Sequence, residues 1–149
     1  MIGIAVAVFV LQALVMSIDE LHFHRARSLP LWERWGHPLD TLSLLACLSV
    51  TVLRAPDSRA LTLFVALGVV SCLLVTKDEF VHARLCSPTE HWLHALLFLI
   101  HPLVLLAAAW LWFAGERALL GVQTALTAAF GIYQLAYWNL PWRRLLRAR

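Results

Sequence analysis

Five apolar runs, each near the length of a bilayer core, constrain this chain more than any other feature. In lipid every backbone N–H and C=O must be paired within the structure, so a spanning segment is a helix or part of a closed barrel. The runs here are continuous stretches without period-two alternation, which selects helices. Of the 149 residues, 61% are hydrophobic and only 14% are charged. A water-soluble domain of this length needs far more polar surface, so the sequence predicts an all-α integral membrane protein.

The first span covers about Ile2 to Ile18 and is expected to continue as helix to about Arg25. The second runs from near His37 to Leu53 with Asp40 inside it, and the third from Ala60 to Thr76, continuing through Asp78 to Arg84. The fourth is Trp92 to Gly115 and the fifth Ala118 to about Trp142. The N-terminal run lacks a basic n-region and a small-residue cleavage site, and it passes directly into Asp19-Glu20. It is therefore read as a retained helix and not as a signal peptide.

With five spans the termini lie on opposite sides. One side receives Arg54, Arg59 and Arg117; the other receives Arg25, Arg27, Arg34, Lys77, Arg84, Arg143, Arg144, Arg147 and Arg149. The positive-inside rule makes the second side cytoplasmic and leaves the N-terminus outside, in an inner (cytoplasmic) membrane. The tail from Tyr137 to Arg144 mixes aromatic rings with arginines, as interfacial anchors do. The net charge of +3 comes with no basic patch interleaved with aromatics, so no nucleic-acid partner is expected.

One pattern of ionisable residues occurs twice. Asp19-Glu20-x4-Arg25 is followed by Glu33-x-Trp35-x-His37, and Asp78-Glu79-x4-Arg84 by Glu90-x-Trp92-x-His94. Carboxylates and imidazoles are costly beside hydrocarbon, so a matched pair of such blocks points to function. The chain divides accordingly into one transmembrane domain with repeat one at about 1–54, repeat two at about 60–115, and a fifth helix with basic tail at about 118–149. Two repeated helical hairpins would form a pseudo-two-fold four-helix bundle, with the fifth helix added on its outside.

Helical spacing sorts the ligands. At 100° per residue, Glu20 and His24, Glu33 and His37, and Glu90 and His94 each lie about 40° apart on one face. Glu79 and His82 are about 60° apart, which still allows one ion to be shared. These eight residues are the expected metal ligands. Asp19 and Asp78 are expected to orient imidazoles or pair with arginines, and His22 points away from Glu20. The set resembles helix-bundle dimetal carboxylate sites in ingredients and symmetry, although their motif is Glu-x-x-His and the prevailing spacing here is one residue longer. Ser87-Pro88-Thr89-Glu90 has capping-box spacing, which gives Glu90 a competing role. Pro38 is expected to disturb the second span near the site, and Asp40 and His101 are the expected proton-relay or channel groups, the candidate catalytic residues.

Carboxylate and imidazole donors without thiolate suit iron, manganese or zinc and argue against copper(I) or an iron–sulfur cluster. Cys47 and Cys72 lie in apolar runs, and Cys86, in a polar connection, is read as a free thiol or, less readily, a ligand. The leading expectation is two transition-metal ions, iron favoured, in an oxidoreductase acting on a hydrophobic substrate such as a lipid or quinone. The alternatives are a non-catalytic zinc or iron sensor or structural subunit, and a b-type haem electron carrier. Membrane lipid is the expected partner. Gly121, Ala125, Ala128, Ala129 and Gly131 leave room for a homodimer through the fifth span.

Overall fold

The apolar runs become five long helices: α1 (Ile2–His24), α2 (Leu31–Leu53), α3 (Ser58–Leu85), α4 (Pro88–Phe113) and α5 (Arg117–Asn139). Each is long and apolar enough to cross a membrane. The computed structural model describes residues 1–27 and 29–140, apart from the Arg27 side chain, and contains no strand among them. The anchor expected of Tyr137 to Arg144 is described only as far as Leu140; its remainder, with Arg143, Arg144, Arg147 and Arg149 of the charge asymmetry, lies outside the described residues.

Local chemistry fixes the ends. The Asp57 side chain accepts from the Ala60 N–H at 2.8 Å and caps α3, and Ser87 accepts from the Glu90 N–H at 3.2 Å to cap α4. Gly115 takes φ +79° in the tight turn between α4 and α5, a conformation that suits glycine. At the end of α2 the Trp112 indole donates to the Arg54 carbonyl at 2.9 Å, tying α2 to α4.

Two turns depart from α geometry. Residues Asp19–His24, at the end of α1, form a π-helical turn. Residues Val75–Asp78, inside α3, form a 3-10 turn. α2 is helical without a break across Pro38, starting six residues earlier than the span expected from His37 and so including Glu33. Proline cannot donate to the carbonyl four residues back, that of Arg34. Asn139 on α5 donates to this carbonyl instead, at 3.1 Å.

The principal packing pairs are α1 with α4, α2 with α3, and α2 with α5. Chain neighbours α1 and α2 are not among them, so the hairpins are interleaved instead of each closing on itself. α5 is the least buried of the five helices, as an added outer helix would be, but it is tightly seated on α2. Gly131 lets it approach α2 so closely that a Cβ there would stand 3.1 Å from the Thr41 methyl. Gln134 accepts from Thr41 across the same contact at 2.7 Å.

The interior is divided lengthwise. Phe9, Leu44, Leu48, Phe64, Val104 and Trp112 belong to an apolar core. At the opposite end the buried side chains are Asp19, Glu20, His24, Glu33, Asp78, His82, Glu90 and His94. Large apolar side chains such as Ile4, Leu42, Val69, Leu106 and Ile132 cover the outside.

Candidate metal centre

Four histidines, one from each of α1 to α4, meet at the polar end. Their ring centroids are 4.7 Å apart for His24 and His37, 6.3 Å for His37 and His82, 3.8 Å for His82 and His94, and 5.8 Å for His94 and His24. The four imidazoles thus form a closed circuit. Neutral imidazole is the form that binds metal, and each ring offers a nitrogen donor.

Carboxylates flank the circuit in two groups. In the first, His94 Nε2 lies 3.0 Å from each oxygen of Asp19, while His24 Nε2 lies 3.1 Å from Asp19 Oδ2 and 3.9 Å from Glu90 Oε1. One donor atom from each of Asp19, His24, Glu90 and His94 falls within 4.8 Å of the others, and all four residues are buried. In the second group Glu33, His37 and His82 meet the same distance condition, with His82 Nε2 3.3 Å from Glu33 Oε1. His37 also groups in this way with Asp40 and Asp78.

The donor set fits one metal ion per group. Nitrogen and oxygen donors sit about 2.0–2.2 Å from such an ion, which holds ligand pairs within roughly 4.4 Å of each other. Small side-chain movements would therefore bring either group onto an ion. His37 Nε2, both ring nitrogens of His82 and Asp78 Oδ1 are buried without a hydrogen-bond partner. Each such atom costs about 1–3 kcal/mol when left unsatisfied, and a cation would engage these lone pairs.

Six of the eight expected ligands, His24, Glu33, His37, His82, Glu90 and His94, come together here. Ser87 takes only the backbone N–H of Glu90, whose side chain turns inward, so capping and site-building coexist. Glu20 is buried beside the circuit but turned to other work. It accepts a short hydrogen bond from the Trp138 indole of α5, and its second oxygen lies 3.4 Å from His24 Nδ1. It therefore orients His24. Glu79 does not reach the cluster: it is half-exposed and lies 2.7 Å from His91 Nε2.

The aspartates expected in supporting positions occupy the inner ones, for a geometric reason. In a regular α-helix Asp19 and His24 would be about 140° apart. A π-helical turn instead pairs residues five apart, and this brings Asp19 onto the face of His24. The tighter 3-10 turn in α3 similarly turns Asp78 inward, to 1% exposure, and leaves Glu79 outward. The sequence carried one signal for this, since both blocks begin with aspartate, but angles computed for an α-helix conceal it.

Asp40 and His101, the expected catalytic pair, are held by other partners. Lys77 Nζ donates to Asp40 at 2.6 Å and to Asp78 at 2.8 Å. His101 Nε2 lies 2.9 Å from the Ser71 hydroxyl, which is 2.7 Å from that of Ser43. His22 is exposed, edge-on to Phe23. Of the two readings of Cys86, the ligand one has geometric support: its sulfur lies 3.9 Å from His94 Nδ1 and groups with His82 and His94 at ligand distance.

A cavity of about 320 Å³ opens from the histidines toward the middle of the bundle. Its size is at the lower end for small-molecule sites, about 300–1,000 Å³. Asp19, His24, His37, Asp40, His82 and His94 line one end, and His101, Leu97, Phe98, Leu126 and Phe130 line the rest. No protein-family model, curated protein or solved structure matches the chain.

Proposed function

We propose that this protein is a membrane-embedded dimetal carboxylate–histidine oxidoreductase that acts on a hydrophobic substrate. One observation carries the reading, which is the reciprocity of the two donor groups. Asp19 and His24 of the first block meet His94 and Glu90 of the second, while His82 of the second meets Glu33 and His37 of the first and Asp78 meets His37. Exchanging the blocks sets Asp19 against Asp78, Glu90 against Glu33 and His94 against His37, with His82 one place out of register from His24, and it also sets the α1–α4 pair against α3–α2. Two ions related by a pseudo-two-fold axis account for this better than unrelated buried ion pairs.

Asp19, His24, Glu90 and His94 would hold one ion, and Glu33, His37, His82 and Asp78 the other. Iron is favoured because mixed oxygen and imidazole donors suit it, and iron held there would supply oxidising chemistry with dioxygen as oxidant. Glu20 and Trp138 keep His24 in place. The adjoining cavity favours an enzyme over a sensor or structural subunit, which needs no space beside its ions. A haem is disfavoured, since rings stacked at 3.8 Å leave no slot for a macrocycle.

Insertion in the inner membrane, with the metal end at the cytoplasmic face, is supported by the basic-residue asymmetry. Trp32, Trp35 and Trp92, all exposed at the metal end, fit an interfacial aromatic belt. Specific lipid contacts or a homodimer through α5 belong to the same proposal.

Cys86 favours a second reading. A thiolate beside His82 and His94 suits zinc, which would make the centre structural or hydrolytic. Elemental analysis of protein purified without added metal tests both. Two ions of iron per chain, lost in His82→Ala and His94→Ala variants, is the expected result. Two of zinc would select the second reading, and the absence of any stoichiometric transition metal would end both.

A further inference from the structure

Gln12 lies in the middle of the apolar run of α1, where an amide is costly unless it is hydrogen-bonded. Its side chain is 4% exposed, lines the cavity, and has no hydrogen-bond partner among the described residues. The other polar groups of this limb are engaged. Thr41 donates to Gln134, the Gln123 amide lies 3.5 Å from the Thr127 hydroxyl, and His101 is joined to Ser71. Gln12 precedes Asp19 by seven residues, so it lies on the same helix face about 10 Å from the metal end.

The limb around Gln12 is walled by side chains such as Ala13, Met16, Leu97, Phe98, Leu126 and Phe130. No lysine, arginine, aspartate or glutamate lines it among the described residues; the acidic lining residues are all at the metal end. The limb also reaches the outer surface. α1 and α5 both wall the cavity yet are not among the principal packing pairs. They are clasped at the metal end, where Arg25 donates to Tyr133 at 3.3 Å, lies over the Tyr137 ring, and Trp138 meets Glu20. Beyond that clasp Ala13 and Leu126 line the cavity and are exposed on the apolar exterior.

We propose that this limb is a binding site for an uncharged single-chain lipid, admitted sideways from the bilayer between α1 and α5 and held by a hydrogen bond in which its carbonyl accepts from, or its hydroxyl donates to or accepts from, the Gln12 amide. A charged headgroup would be desolvated there without a counter-ion. A plain hydrocarbon would leave the amide unpaired. A neutral polar group flanked by an apolar chain satisfies both conditions, because the amide can donate or accept. The inference deepens the proposed function by naming the substrate class, and it rests on that reading only for what happens at the ligand's inner end.

The test uses the full chain in phosphatidylcholine nanodiscs, photolabelled with a diazirine analogue of hexadecanol, with and without chelator. Labels are expected on peptides carrying Met16, Leu126 and Phe130, with competition by excess hexadecanol but not by hexadecane or palmitate. Gln12→Leu is expected to lower labelling about tenfold, as the loss of one buried hydrogen bond implies. Ala13→Trp, which fills the opening, is expected to abolish it, and this variant decides if Gln12→Leu does not fold. Labelling outside the cavity, equal competition by hexadecane or palmitate, or unchanged labelling in the folded variants would overturn the proposal. Specific labelling of a protein that binds no metal would sink the metal reading alone, and a metal-loaded protein that takes no label would sink this one alone.

Discussion

His94 Nε2 on α4 lies 3.0 Å from both carboxylate oxygens of Asp19 on α1, two residues 75 positions apart in the chain. Asp19 also lies 3.1 Å from His24, so it joins two imidazoles from different helices. Asp19→Asn keeps the shape and removes the charge. It is expected to remove one of the two proposed ions and leave the other, whereas Glu79→Gln is expected to leave metal content unchanged, because Glu79 faces His91. Metal-to-protein ratios of the two purified variants check this; equal loss in both would contradict the assignment.

Trp138 acts on the site through Glu20. Trp138→Phe retains most of the ring and deletes the N–H that holds the carboxylate. Removing a group that orients a metal ligand typically weakens binding about 10–100-fold. Competition with a chelator of known affinity measures the change. An unaltered affinity would reduce the α5 contact to packing.

Lys77 bridges Asp40 and Asp78, and all three side chains are mostly buried. Lys77→Met leaves two carboxylates without that cation, and breaking a buried ion pair by removing one partner costs about 3–5 kcal/mol. The thermal midpoint in detergent is expected to fall, and a second change, Asp40→Leu, to recover part of the loss. If the single variant melts with the parent, the bridge contributes little.

Gly36 packs against the same bridge. A Cβ there would stand 3.1 Å from both Asp78 Oδ1 and Lys77 Cε. Gly36→Ala is therefore expected to destabilise by about 1–3 kcal/mol through overpacking and to weaken the ion nearest Asp78. Gly121→Ala, with open space around its Cβ, is the control and is expected to leave both unchanged. Thermal melts and metal ratios of the pair decide.

Periodicity and hydropathy alone were enough to read the five helices, because an apolar run of this length has few other ways to satisfy its backbone. The sequence also pointed to Glu33 with His37 and Glu90 with His94, since these pairs lie in regular helix where an i,i+4 spacing translates directly into a shared face. It did not reveal that Asp19 and Asp78 displace Glu20 and Glu79. The π and 3-10 turns change the angular step per residue, and regular i,i+4 spacing does not foretell them. The same limit hid the partnership of Trp138 with Glu20, the capping of the Arg34 carbonyl by Asn139, and the place of Gln12 on a cavity wall. The sequence by itself determined which segments are helical and which ionisable groups must be accounted for. Only the tertiary structure decided which of them face one another, because that choice is made by packing energies between helices, and local spacing does not encode them.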